Sequence, residues 1–153
     1  MKRALFLVLL AGFISPAQAE IMGMPTVIAG DILMVNGVRM HLHGIDAPEL
    51  DQVCRLAKGK NYRCGAVART ALMDLVAGIS VTCRLKNNED ALYAYAYCEA
   101  GGYDLSSNMV HTGWALADRA TTKKYISIEL RAQKAKRGLW RGEFSTPWEW
   151  RKR

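Results

Sequence analysis

An α+β class, a five-stranded barrel with about three helices packed beside it, is what the sequence predicts for this 153-residue chain. Three observations predict it. Strand-patterned runs cluster ahead of residue 45, a helix-period stretch separates them from two more such runs, and the later periodic stretches are helical. Half of the residues are hydrophobic and 23% are charged, a balance that supports one compact core and excludes a disordered chain.

Residues 1–19 come first: Met1-Lys2-Arg3, an apolar run over 4–14, then Ser15-Pro16-Ala17-Gln18-Ala19. A basic start, an apolar stretch and an A-x-A cleavage site mark a secretory signal peptide. The run is shorter than the roughly 20 residues a bilayer core needs and no later one exceeds it, so no membrane span is expected. The folded domain is then 20–153. Val27-Ile28, Ile32-Leu33-Met34-Val35 and residues 38–43 read as a meander. Asn36-Gly37 joins the last two runs, because a two-residue hairpin turn asks both positions for positive φ. Over 62–77 the apolar residues Val67, Ala68, Ala71, Leu72, Leu75 and Val76 recur at three and four, and Gly78 ends the helix. Residues 79–85 and 92–98 return to strand character. A short helix is expected over 104–111, closed by Gly113, and a basic one over 126–137 with Gly138 as its stop. This order resembles the OB-fold, a partly open barrel that binds oligonucleotides and oligosaccharides.

Removing residues 1–19 takes away Lys2 and Arg3 and no acid, so the net charge of +7 becomes +5. Such a field suits a polyanion, nucleic acid or acidic polysaccharide, and equally suits ordinary solubility. The four cysteines, Cys54, Cys64, Cys83 and Cys98, favour disulfides in an exported chain. Three connectivities are open, and the local bridges Cys54 to Cys64 and Cys83 to Cys98 are the simplest. A periplasmic or secreted monomer is expected.

The informative stretch for chemistry is Gly30-Asp31, followed by Gly44-Ile45-Asp46-Ala47-Pro48-Glu49. Folding the hairpin back would bring Asp31, Asp46 and Glu49 together. Clustered carboxylates repel unless a cation neutralises them, so the functional reading is an oxygen-ligand site for Ca²⁺. On spacing alone, three separate turn and capping carboxylates are the commoner outcome. His41 and His43 could share a metal, although a barrel-lining or solvent-facing role is commoner. Tyr93, Tyr95 and Tyr97 share a strand face that could stack bases or sugars, or pack across strands. The run Lys134, Lys136, Arg137 and Arg141 reads as a solvated helix face. Trp140, Trp148 and Trp150 read as groups that dock the tail.

GD after a short strand, the phrase GIDAPE, Tyr62-Arg63-Cys64-Gly65 entering a helix, and Gly102-Tyr103-Asp104-Leu105 ahead of Gly113-Trp114-Ala115 occur in order. They are followed by Arg137-Gly138-Leu139-Trp140 and Pro147-Trp148-Glu149-Trp150-Arg151. In these motifs the chain resembles the staphylococcal nuclease family, whose domain is an OB-fold barrel. The resemblance implies that Asp31 and Asp46 bind Ca²⁺ with help from the Ala47 carbonyl. It also implies that Glu49 orients or deprotonates the attacking water. Family members clamp the phosphate with two arginines, whose rigid forks stabilise the charge of the transition state.

Both clamp positions depart from the family. His41 stands where the first arginine belongs, five residues before Asp46, and Tyr93 stands where the second belongs. Ala29 replaces an acid before Gly30, and Ile32 replaces the usual threonine. With ordinary pKa values near 6.5 and 10, neither His41 nor Tyr93 supplies a cation at pH 7. Arg39, Arg84 and Lys86 are the nearest substitutes. The expectation is an exported member with a degenerate phosphodiesterase site and at most weak Ca²⁺-dependent nuclease activity. The alternative is a non-catalytic polyanion-binding protein, since size and layout also resemble family members encoded with rhizobial succinoglycan biosynthesis enzymes, which implies a role in exopolysaccharide production.

Overall fold

A computed structural model describes residues 20–86 and 94–153, so residues 1–19, expected to be a signal peptide, and Tyr93 lie outside the described residues. The chain opens with strands β1 (Glu20–Gly23), β2 (Pro25–Ala29), β3 (Ile32–Val35) and β4 (Val38–Leu42), and the last three form the expected antiparallel meander. Asn36 and Gly37 take φ of 49° and 79°, the conformation their turn requires. After β5 (Ile45–Asp46), β6 (Val53–Leu56) and β7 (Asn61–Arg63) comes helix α1 (Cys64–Leu75), inside the expected span. Strands β8 (Val81–Lys86), β9 (Ala94–Ala100) and β10 (Tyr103–Asp104) precede α2 (Leu105–Thr112). The chain closes with β11 (Leu116–Ala117), α3 (Ile126–Lys134), a 3-10 turn at Gly138–Arg141, β12 (Gly142–Glu143) and the single turn α4 (Pro147–Trp150).

Alternation along the strands builds the core. Leu33, Val35, Met40, Leu42, Val81, Cys83, Ala96 and Cys98 point inward, α1 and α2 add Leu72, Met109 and Val110, and Val76 joins them just past the end of α1. Residues i and i+2 share a face of a strand, so Arg39 and His41 occupy the opposite, outer face of β4.

The α+β class is as expected, and the pairing is richer than the sequence predicts. The main sheet has seven strands in the order β1-β8-β9-β4-β3-β2, with β10 added beside β9, rather than five in a closed ladder. Its ends are β1 and β2, which Met24 alone separates in sequence. Strands β4 and β9 run parallel and bring His41 beside Tyr95. A second ladder, β12-β6-β7, and a third, β11-β5, are not expected from the sequence, and Tyr62 and Arg63, which open the expected helix, belong to strand β7 instead. Helix α3 stops at Lys134, three residues short of the expected end, and Lys136 takes a positive φ of 51°. Gly138 acts through close approach rather than as a helix stop: a Cβ there would lie 2.3 Å from the Gly113 carbonyl oxygen.

The disulfides Cys54–Cys64 and Cys83–Cys98 are both formed. The first ties β6 to the start of α1, and the second joins facing residues of β8 and β9. Among the described residues, no helix is long and apolar enough to cross a membrane.

Candidate functional site

Asp31 sits in the tight turn between β2 and β3 and Asp46 ends β5, and the two carboxylates line one cavity. Strand β5 is held from behind. Leu116 pairs with Asp46 in the β11 ladder, and buried Glu129 of α3 accepts the Ala117 N–H at 2.9 Å while pairing with Arg119. Asp31 is 8% exposed, and its Oδ2 accepts the Ala47 N–H at 3.2 Å. Burial, with help from the negative charge of Asp46, pushes its carboxyl up to about 7.

Glu49 follows on a loop clamped from two sides. The Gln52 side chain accepts the Glu49 N–H at 3.2 Å and donates from Nε2 to the Ser145 carbonyl at 2.8 Å, so it ties this loop to the C-terminal tail. Gly65 lies so close that a Cβ there would be 1.7 Å from the Glu49 carbonyl oxygen. Asp31, Asp46 and Glu49 share one cavity of about 420 Å³ with Arg39, His41 and Arg151.

Arg151 is the residue that sequence reasoning missed. Its Nη2 donates to Asp46 Oδ2 at 2.6 Å, and its Nη1 donates to Asp46 Oδ1 at 3.0 Å and to Glu49 Oε1 at 2.6 Å. Both Asp46 oxygens are therefore engaged by one planar fork. The sequence carries the residue in its Trp148-Glu149-Trp150-Arg151 tail, but no spacing rule links position 151 to position 46.

The clamp positions hold no resident cation of their own among the described residues. The His41 ring lies 5.4 Å from that of Tyr95. Its pKa is lowered, by burial first and by Arg39 second, so the imidazole is neutral at neutral pH. Of the expected substitutes, Arg39 lines the cavity, whereas Arg84 faces Glu99 at 3.3 Å and Lys86 faces His43 Nε2 at 3.2 Å. Buried His43 packs edge-on against Tyr97 with ring centroids 4.6 Å apart, so it is a wall residue and does not pair with His41 on a metal. Tyr95 and Tyr97 keep the outer face of β9. Of the basic run, Arg137 contacts His111 at 2.7 Å and Arg141 stacks over Trp114.

Ca²⁺ asks for six to eight oxygen ligands at about 2.3–2.6 Å. Among the described residues, no three His, Cys, Asp or Glu side chains form a group that could hold a metal ion. With Asp46 and Glu49 both turned to Arg151, the carboxylates as placed do not fit the ion.

Residues 39–142 match the family model described as staphylococcal nuclease homologue. The chain belongs to the staphylococcal nuclease family. It is 32% identical over 131 residues to "Succinoglycan biosynthesis protein ExoI" of Rhizobium meliloti (strain 1021), spanning 83% of this chain and 68% of that protein. It is also 31% identical over 134 residues to "Probable staphylococcal-like nuclease CAN2" of Oryza sativa subsp. japonica, spanning 80% of this chain and 31% of the plant protein. The family resemblance read from the sequence motifs therefore holds. Asp31 precedes the stretch matched by the family model and Arg151 follows it.

Proposed function

We propose that this protein is exported through its 1–19 segment to the periplasm or medium and acts as a monomer. Its 20–153 domain is read as a nuclease-like barrel in which β1 and β2 are one strand bent at Met24. The site is a degenerate phosphodiesterase centre with at most weak Ca²⁺-dependent nuclease activity. One observation carries the reading: a neutral His41 stands at the first clamp position, while the cavity's tail cation, Arg151, is spent on Asp46 and Glu49. Glu49 must break a charged hydrogen bond before it can take a proton from water, and no clamp at His41 or Tyr93 meets the charge that would grow on the phosphoryl oxygens. Ca²⁺ would bind weakly through Asp31, Asp46 and the Ala47 carbonyl, because it must first displace Arg151.

Calorimetric titration with Ca²⁺, together with a nuclease assay on denatured DNA, tests this reading. Cleavage should be slow. His41→Arg combined with Tyr93→Arg should raise turnover by a factor on the order of 10², and adding Glu49→Gln should abolish that gain. Wild-type cleavage at the rate of an efficient nuclease would overturn the reading. A second reading, a non-catalytic binder of nucleic acid or acidic polysaccharide acting in exopolysaccharide biosynthesis, is supported by the similarity to ExoI. It expects no cleavage before or after repair, and salt-sensitive retention on a polyanion column.

A further inference from the structure

Strand β12 pairs with β6 through Gly142 and Glu143, and the Gln52 amide then holds Ser145. At Thr146 the Glu149 side chain caps the start of α4: the Thr146 N–H donates to Glu149 Oε2 at 3.1 Å, and the Glu149 N–H donates to the Thr146 carbonyl at 3.0 Å as the first bond of the turn. The Arg151 N–H donates to the Pro147 carbonyl at 3.1 Å. Each contact fixes the backbone that delivers the Arg151 side chain, and the same Gln52 positions Glu49, so the tail and the carboxylate loop are set against each other by one buried amide.

We propose that Arg151 is the resident cation of the carboxylate pair, a guanidinium delivered by the tail that holds Asp46 and Glu49 in place of a divalent ion. The inference rests on reading those two carboxylates as the family site. Three charge-assisted hydrogen bonds occupy both oxygens of Asp46 and one of Glu49. A metal ion and the fork therefore compete for the same lone pairs. The guanidinium is also a partition: Arg151 and Asp46 wall the site cavity on one side and, on the other, a second cavity of about 420 Å³ lined by Arg119 and Trp148. The Arg151 side chain is 47% exposed, so displacing it leaves no buried charge behind, whereas the Asp46 side chain, 14% exposed, depends on some cation being there. Selection of a built-in cation over a free ion is thus a property of residue 151.

Ca²⁺ affinity, read by calorimetry without substrate, tests the proposal independently of catalysis. Arg151→Gln should bind Ca²⁺ about tenfold more tightly than wild type, equivalent to about 1.4 kcal/mol. Arg151→Lys should gain less, because one ammonium cannot fork across Asp46. Lys152→Gln, which removes the same charge one residue away, should match wild type. A residue that merely braced the fold would lose affinity when removed, so unchanged or weaker Ca²⁺ binding in Arg151→Gln overturns the proposal. If that variant fails to fold, the wild-type Arg151 Nε–H resonance decides: it should shift in step with Ca²⁺ saturation, and a resonance that stays fixed while Ca²⁺ binds overturns the idea. An inert nuclease with the expected Ca²⁺ gain would sink only the catalytic reading.

Discussion

Replacing Asp31 by Asn should stabilise the fold at pH 8 and leave it nearly unchanged at pH 4. Asp31 is buried, accepts one backbone N–H, and has its carboxyl pushed from 3.8 up to about 7, by burial first and by the charge of Asp46 second. In the unfolded chain the same group titrates at its ordinary value. Between those two values the native state holds a proton that the unfolded state has released, so stability falls as pH rises. The favourable contribution is complete below about pH 4 and is lost once pH has passed about 7. At 1.36 kcal/mol per pH unit, the interval is worth about 4 kcal/mol. His41 and His43 act in the opposite direction. Burial lowers both pKa values, so the unfolded state binds protons that the native state refuses, and stability falls as pH drops below about 6.5. Wild type alone would mix the two effects. The difference between wild type and Asp31→Asn isolates the carboxylate, because the amide oxygen can still accept the Ala47 N–H while carrying no charge. Urea unfolding at each pH unit from 4 to 8 should show the variant's advantage growing from near zero to about 4 kcal/mol, with most of the rise below pH 7. An advantage that does not change with pH, or a variant less stable at pH 8, would refute the argument that Asp31 is held in the fold at the expense of its charge.

Gly65→Ala should cost about 3 kcal/mol in urea unfolding, because the new Cβ meets the Glu49 backbone and pushes the start of α1 away from the Glu49 loop. A loss below about 1 kcal/mol would mean that the loop yields easily and that its position is not set by the helix. A non-reducing peptide map should return only Cys54–Cys64 and Cys83–Cys98. Opening the second bridge, which spans 15 residues, should lower stability by about 3 kcal/mol, and a change under about 1 kcal/mol would contradict the chain-entropy account.

What could be read from the sequence was local. Runs of strand-forming residues located β3, β4 and β8, the Asn36-Gly37 pair located the turn between β3 and β4, and three-and-four spacing located α1. Asp31 and Asp46 were legible as a pair because the sequence reads a hairpin that returns the chain toward Asp31; in the structure Asp46 lies beyond that hairpin, in β5, and the next residue, Ala47, donates its N–H to Asp31. The two small ladders were not legible. Strand β6 has four residues and β12 only two, too few to show a period, and their partners are set by register rather than by pattern: Arg55 faces Glu143 across 88 positions of chain. Strand β1 escaped for a related reason, since its exposed and half-buried residues alternate without a strongly apolar face.

Arg151 shows why the site was harder to read than the fold. Its partners, Asp46 and Glu49, lie 105 and 102 residues away, and what brings them together is a relay with no sequence signature. The Cys54–Cys64 bridge fixes β6, β6 pairs with β12, and Gln52 holds Ser145 and Glu49 at once. Only then does the turn capped by Glu149 at Thr146 aim Arg151 into the cavity. Motif reasoning compares each position with its counterpart in relatives, so it registered that arginine is missing at His41 and could not register that another cation enters from the tail. A lost residue is visible where it used to be; a compensating one is visible only where the fold delivers it. The charge balance of the cavity is therefore a property of the tail's docking as much as of β4 and β5. The same argument makes the Cys54–Cys64 bridge part of the site, because a tail freed from β6 would leave Asp46 and Glu49 open to whatever cation the surroundings provide.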